Sequence, residues 1–546
     1  MGIFIHMNIS KSVTKREWKN VYEETLQLVK NFPLAERRKV MCKGIETICL
    51  VPTVEREETY GWNHENKRKG WFADGDDETL HTAERYSLYR ELIKGNSVDV
   101  NAGDALLGAL PAYLNYDWED PRCSHTYSIW GDKTQGEPYH MYLLAIACLI
   151  EGRLGEKAFV YGDITKGQCR RAVELANEYL KKPIDVPDRC DMERFYRRIS
   201  KLEMSEKEKL DIFEGLYLGT KDSEYGEYIR SKYSEEACDE YWKECFGRYC
   251  VGTIGFNDYI NDYLLWGFDL GKLCRLINYY DEENKPQYEN FVKRIMDAKL
   301  HLKDKNCKDI LKIDQEESEP YSIYTLMAQF AFAGARNKKV ERYIPIDEIK
   351  TVLINELGDE CDVGAIIDAY LENERQEQAI KISTNETEAD LGTLCTQDAS
   401  EVFNQMMDIK RQSIIDEREK YDITTYEDLI YYETGDNVEP HLLDNLKKSF
   451  MFYDSIAEED LYTELMGMSA RIRCRWLVDR NRSVLIREED WNKIFTDIEN
   501  NEQSFSRYYP MMRLELEHAD LRNMIIAIVL NDELYGYCKE IISNEI

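Results

Sequence analysis

Hydrophobic and polar residues alternate from the start of the chain. Ile3, Ile5, Met7 and Ile9 fall on one side of a two-residue period, and Phe4, His6 and Asn8 on the other. That is the pattern of a strand with one buried face. It then gives way to a helical pattern at a marked start. Thr14 followed by Glu17 is a capping box, and Val13 and Trp18 are placed for a hydrophobic staple across it. Trp18, Val21, Tyr22, Leu28, Val29 and Phe32 follow at helical spacing. Pro33 ends the run. Two strands, Lys39–Cys42 and Ile45–Val51, come next, turned near Lys43-Gly44.

Between residues 56 and 136 neither period holds. The stretch reads as loops rich in Gly, Asp, His and Trp, with short helical pieces near Ala83–Ile93. Order returns at Pro138, a fitting first helical position, and Tyr139–Ile150 reads as a buried helix. Ala158–Tyr161 is a short apolar strand. Thr165 and Gln168 cap a further helix whose stripe is Cys169, Ala172, Val173, Ala176 and Leu180. This helix–strand–helix unit is expected to join the sheet of the N-terminal strands. Beyond residue 190 nearly everything reads as helix, with capping boxes at Ser205/Glu208, Thr424/Glu427 and Ser455/Glu458. Polar stretches at Asp304–Pro320 and Ser383–Ser400 mark boundaries.

The predicted fold class is an α+β N-terminal domain followed by predominantly α-helical domains, mostly helical overall. The α+β domain spans 1–190 and contains the loop region at 56–136. A helical domain at 191–315, a helical segment at 320–385 and a C-terminal helical domain at 400–546 follow. The 546 residues suit roughly three or four domains at about 100–200 residues each. A hydrophobic fraction of 43% with 37 Tyr indicates a folded chain, since disordered chains have few aromatics.

The formal charge of −33 disfavours indiscriminate binding to nucleic acid or anionic lipid. The fifteen Cys are scattered, without a Cys-x-x-Cys pair. The N-terminus has no long apolar run, and Met-Gly alone does not make a myristoylation signal. No apolar stretch has the length of a membrane span. These features predict a cytoplasmic protein with no membrane association and free thiols.

Four stretches hold residue types that do chemistry. The first is residues 61–81, with Trp62, His64, Trp71, Asp74, Asp76, Asp77 and His81. Four of the eight His, at 64, 81, 125 and 140, fall here or shortly after. Imidazoles and carboxylates are metal ligands and general acids or bases. The spacing is no known metal signature, and no bound metal or cofactor is expected. Trp62 and Trp71 are expected as exposed recognition anchors, with His64, Asp76, Asp77 and His81 giving polar specificity. The second is an arginine cluster in which Arg471, Arg475 and Arg482 can share a helical face, the one place where nucleic acid would find a phosphate site. The third is Arg513-x4-His518, whose spacing is similar to the motif of HEPN ribonucleases; that resemblance covers six residues and implies RNA cleavage by Arg513 and His518. The fourth, Gly162-Asp163-Ile164-Thr165, reads as a helix cap, and the aromatic stretch Tyr259–Phe268 reads as core or an interface rather than a cofactor box.

No nucleotide loop, complete metal set or nucleophile motif occurs. The expected role is a non-enzymatic cytosolic protein-interaction or regulatory component of a multi-protein system. One rival is an RNA-cleaving or nucleic-acid-acting enzyme using Arg513 and His518. A second is a metal-dependent hydrolase using the stretch 61–140. The thiol expectation is directly measurable. Titration of the denatured, unreduced protein should find all fifteen thiols free, and several stable disulfides would overturn the cytoplasmic assignment.

Overall fold

The N-terminal alternation forms strand β1, Phe4–Ser10, with Ile5, Met7 and Ile9 fully buried. The computed structural model describes residues 3–42, 45–60, 66–78, 81–92, 99, 102–114, 125–281, 283–303, 340, 342–383 and 440–441. Helix α1, Lys15–Asn31, starts at the predicted capping box. The Glu17 N–H donates to the Thr14 hydroxyl (3.2 Å), and the Thr14 N–H donates to the Glu17 carboxylate (2.8 Å). Val13 and Trp18 are both buried beside this cap.

Two antiparallel sheets follow, in a compact unit that takes in the described residues up to Cys190. In one sheet β2 (Leu34–Cys42) and β3 (Ile45–Pro52) form a hairpin with Cys42 opposite Ile45. β2 begins at Leu34 rather than Lys39, and the residues of the predicted turn, Lys43-Gly44, lie outside the described residues. β4 (Arg56–Tyr60), β5 (Asn66–Asp76) and β6 (Thr82–Tyr89) complete the sheet, and β5 pairs with β2, β4 and β6. The other sheet has the order β7-β1-β8, with β7 at Thr126–Lys133 and β8 at Ala158–Gly162. A 3-10 turn at Ala105–Ala109 leads into the single turn α2, Leu110–Tyr113. Helix α3, Tyr139–Leu154, is buried along most of its length, and α4, Lys166–Asn177, carries the predicted Thr165/Gln168 box.

Two expectations are corrected. The stretch 56–136 is not a loop region, because it supplies β4 to β7; β6 occupies most of the segment read as helical at Ala83–Ile93. The cause is visible in β5, where every residue from Trp71 to Asp76 is buried. A strand covered on both faces shows no two-residue alternation. In addition, β8 joins β1 as expected, but β2 and β3 lie in the other sheet.

Strand β8 ends its sheet, and side chains satisfy its outer edge. The Val160 N–H donates to the Glu151 carboxylate (2.7 Å), and the Val160 carbonyl accepts from the Arg189 guanidinium (3.2 Å). The Tyr113 hydroxyl meets both the N–H (3.0 Å) and the carbonyl (3.1 Å) of Gly162. Glu151 and Arg189 are buried charges, and these backbone groups are part of what holds them there.

The described residues from 191 to 383 form a second unit, all of it helical. Its helices are α5 (Met192–Ser200), α6 (Glu206–Leu216), α7 (Ser223–Lys232), α8 (Glu235–Gly247), α9 (Ile254–Leu265), α10 (Leu270–Leu276), α11 (Tyr288–Asp297), α12 (Ile346–Leu357) and α13 (Val363–Ser383). Asp191, Ser205, Asp222, Ser234, Thr253 and Asp269 cap α5 to α10 by accepting backbone N–H bonds, which replaces partners the first turn lacks. Its core is aromatic. Trp242 meets Tyr263, Trp266 and Phe268 at 5.0–5.7 Å, so the larger aromatic residues of the stretch Tyr259–Phe268 are core, with Tyr259 half-buried. Gly226 is required here, since a Cβ would stand 2.3 Å from the Trp266 Cα.

The architecture is thus an N-terminal sheet region followed by helices, with 53% of the described residues helical. Among the described residues no helix is long and apolar enough to cross a membrane. Nine of the described cysteines, from Cys49 to Cys361, stand as free thiols.

Trp71 is completely buried, and its indole N–H donates to the Thr25 hydroxyl on α1 (3.3 Å). Trp71→Ala should therefore lower stability by about 3–5 kcal/mol. Chemical denaturation checks this; an unchanged midpoint would mean the indole is not part of the core.

Candidate functional site

The stretch 61–81 was expected to form an exposed surface. Of its singled-out residues, Trp62 and His64 lie outside the described residues, and the others are mostly inside the fold. Trp71 is not an exposed anchor, because β5 faces α1 on that side. Asp74 lies near the end of β5, 5% exposed, where the pairing with β6 shifts register. Its carboxylate accepts from the Arg37 N–H (2.8 Å) and stands 3.5 Å from Arg85 Nε. Burial pushes its pKa up, against the pull of those donors. Glu36, fully buried beside it, holds Arg56 through Nε and Nη2 (2.7–3.1 Å). Arg56 and Arg85 in turn cover the ring of Phe72 at 4.4 and 5.1 Å. The acids on this face thus hold the guanidiniums that roof an aromatic ring.

Asp76 ends β5 and is buried, and its N–H donates to the His81 carbonyl (3.2 Å). Asp77 lies in the turn, with its N–H donating to the Pro33 carbonyl (2.8 Å). His81 Nδ1 stands 2.7 Å from a Glu137 carboxylate oxygen, both side chains buried. His140 belongs to the same neighbourhood, because its N–H donates to the Glu137 carbonyl (2.8 Å). The ring of His140 is fully buried, with Nδ1 2.6 Å from the Thr134 hydroxyl and no hydrogen-bond partner for Nε2 among the described residues. His125 stands apart near the surface, 3.3 Å from Asp99. Among the described residues no three His, Cys, Asp or Glu side chains are arranged to hold a metal ion. Arg471, Arg475, Arg482, Arg513 and His518 lie outside the described residues.

A different surface emerges on the second face of β1. Phe4 and His6 stand there half-buried, opposite the face that carries Ile5 and Met7. His6 pairs with Gly131 on β7 and Tyr161 on β8. A Cβ on Gly131 would come within 3.2 Å of His6 Nδ1. One on Gly162, at φ +117°, would come within 2.5 Å of the Phe4 carbonyl and 3.3 Å of the imidazole. Bare backbone on both sides lets the rings lie side by side. Phe4 and His6 are stacked at 5.4 Å and 15°, and His6 and Tyr161 at 4.8 Å and 14°. Phe159 continues the row at 6.0 Å from Tyr161, and Tyr113 stands edge-on to Tyr161 at 6.0 Å.

Charges lie at the margin of this row. Lys133 Nζ is 5.6 Å from the Phe4 ring centre, and Asp163 accepts the Phe4 N–H (2.9 Å). Burial lowers the pKa of His6, which favours a neutral ring, and pushes Tyr161 up to about 12. The row is therefore a preformed, largely uncharged stack of rings with Lys133 at its Phe4 end and Arg189 at its Phe159 end, 5.5 Å from the ring centre; Tyr161 and Phe159 are buried, and Phe4 and His6 are half-buried. Its accessible part, the edges of Phe4 and His6, suits an apolar or aromatic side chain. The sequence held the signal: two aromatic residues occupy the polar phase of the β1 alternation. Tyr113, Gly131 and Gly162 carry no such mark, since only the strand pairing brings them to His6.

Comparison of the chain with protein-family models, with curated proteins and with solved structures finds no match.

Burial pushes the His140 pKa down to about 4. The unfolded chain takes up this proton near pH 6.5, whereas the folded chain resists it to about pH 4. The contribution is therefore complete above pH 6.5 and is lost as pH falls from there to about 4, by up to about 1.4 kcal/mol per unit. Denaturation of wild type and His140→Gln across this range should show a smaller acid slope in the variant. Equal slopes would mean that His140 takes up its proton as readily in the folded chain as in the unfolded one.

Proposed function

We propose that the protein is a non-enzymatic interaction or regulatory component of a multi-protein cytoplasmic system, and that it binds a partner protein through the aromatic face of the β7–β1–β8 sheet. On this reading 1–190 is an α+β binding domain, and helical domains at 191–315, 320–385 and 400–546 extend it. The observation that carries the proposal is the Phe4–His6–Tyr161 row, with neighbouring rings within 15° of parallel. Aromatic residues are enriched at protein interfaces and dominate their hot spots. Rings already held in place by sheet pairing lose little freedom on binding. The charge of −33 weighs against a polyanionic partner, because long-range repulsion slows its approach.

A photo-crosslinking amino acid placed at position 4 or 6 in the full chain tests this in cells. It should form protein adducts that are absent when the same group replaces the exposed Tyr249 of the helical unit. With the captured partner purified, Phe4→Ala combined with His6→Ala should weaken binding by about thirtyfold, the loss of one hot spot. Adducts no stronger than at position 249, or adducts made of nucleic acid, would refute the proposal.

A further inference from the structure

Three cysteines meet inside the sheet unit. Cys148 lies on α3, Cys169 in the first turn of α4, and Cys190 ends a 3-10 turn at Asp188–Cys190. All three are buried. The Cys169 thiol is hydrogen-bonded to the thiols of both Cys148 and Cys190, so the sulfurs form a row with Cys169 in the middle. The row does not have the arrangement of a metal site.

A single buried cysteine acts as a small apolar filler. Here three sulfurs from three separate elements are in contact, and a buried guanidinium acts on them. Arg189 favours the thiolates of Cys169 and Cys190, while Glu151 opposes ionisation at Cys148 and Cys190. Cys169 is therefore the best placed of the three to attack. Cys190 is its better partner. Cys148 and Cys169 are each fixed in a helix, and α3 packs on α4, whereas Cys190 ends a single turn that can adjust to the torsion a disulfide requires. The Cys169 pKa lies well above its ordinary value, through the bond to Cys148 and through burial, and that of Cys190 through the bond to Cys169 and through burial. The closed row is thus unreactive, and its chemistry waits on local opening of the turn that carries Arg189 and Cys190.

We propose that Cys169 and Cys190 form a redox latch, in which a low-molecular-weight disulfide oxidises the pair and the new bond pins the turn 188–190, with the Arg189 contact to the Val160 carbonyl, against the edge of β8. The Cys169 thiolate attacks the reagent and releases one thiol; the Cys190 thiolate then attacks the Cys169 sulfur of the mixed disulfide and releases the second. One S–S bond forms, the reagent's S–S bond breaks, and the two protons leave with the two released thiols. The latch is independent of the aromatic sheet face.

The test holds the full chain, reduced and then freed of reductant, with glutathione disulfide, and maps the alkylated digest by mass spectrometry. The expected product is a peptide pair linked through Cys169 and Cys190. Cys148→Ala should retain this link, and Cys169→Ala should lose it. Trypsin added to the native chain should cut after Arg189 about tenfold more slowly in the oxidised form than in the reduced one, because the bond suppresses opening of the turn. Recovery of Cys169 and Cys190 as free thiols after oxidation, a link through Cys148 instead, or equal cutting of the two forms would overturn the proposal.

Discussion

The sheet unit depends on how its two sheets are joined where no strand ladder joins them. β6 and β7 belong to different sheets, so their facing backbone groups must find partners elsewhere or remain unpaired. Buried aromatic side chains supply those partners. The Trp130 indole donates to the Ser87 carbonyl (2.8 Å), and the Tyr139 hydroxyl donates to the Glu84 carbonyl (2.8 Å). The Tyr86 hydroxyl accepts the Ile5 N–H (3.2 Å) and donates toward the Asp132 carbonyl. The same rings pack edge-to-face, Trp71 on Trp130 at 5.9 Å and Tyr86 on Trp130 at 5.4 Å. Each thus removes a large apolar area from water and closes a backbone bond with its polar end, which an aliphatic side chain cannot do.

This seam explains how much of the fold was legible. Capping residues act within a few positions of each other, so the boxes at Thr14, Thr165 and Ser205 were visible in the sequence and occur where they were read. β1 was visible because its buried face is continuous. β5 and β6 were not. Trp71 and Phe72 are adjacent and both fully buried, one toward α1 and the other under Arg56 and Arg85. Such a strand has no polar phase to alternate with. In β6 the residues Ala83, Glu84 and Arg85 favour helix on their own, and pairing with β5 overrides them.

The same physics decides where the chemical residues of this stretch lie. Asp74, Asp76 and His81 were singled out because carboxylates and imidazoles do chemistry, and here they sit inside the sheet unit. Asp74 faces Arg37 and Arg85, and His81 faces Glu137. A buried polar group needs a specific partner, so a seam rich in buried polar atoms concentrates the residue types that active sites also use. Composition cannot separate the two cases, because both call for the same side chains. What separates them is pairing across distant parts of the chain, such as His81 with Glu137, and that pairing follows from topology.

The edges of the β7–β1–β8 sheet narrow the way in which a partner can engage it. An unpaired edge invites an added strand. On β8, Val160 and Gly162 already bond to Glu151, Arg189 and Tyr113. On β7, the Lys133 N–H donates to the Glu84 carboxylate (2.7 Å). Adding a strand to β8 would break the charge-assisted bonds of the buried Glu151 and Arg189 before making new ones, and buried charges left unpaired are costly; the Glu84 bond on β7 is exposed and a weaker obstacle. The face of β1 has no such obstacle, since stacking on Phe4 and His6 breaks no backbone bond. Tyr113 links the two features. Its hydroxyl closes the edge at Gly162, and its ring stands edge-on to Tyr161 at the end of the aromatic row. The residue that closes the sheet against a strand is therefore also a wall of the surface proposed to receive a side chain.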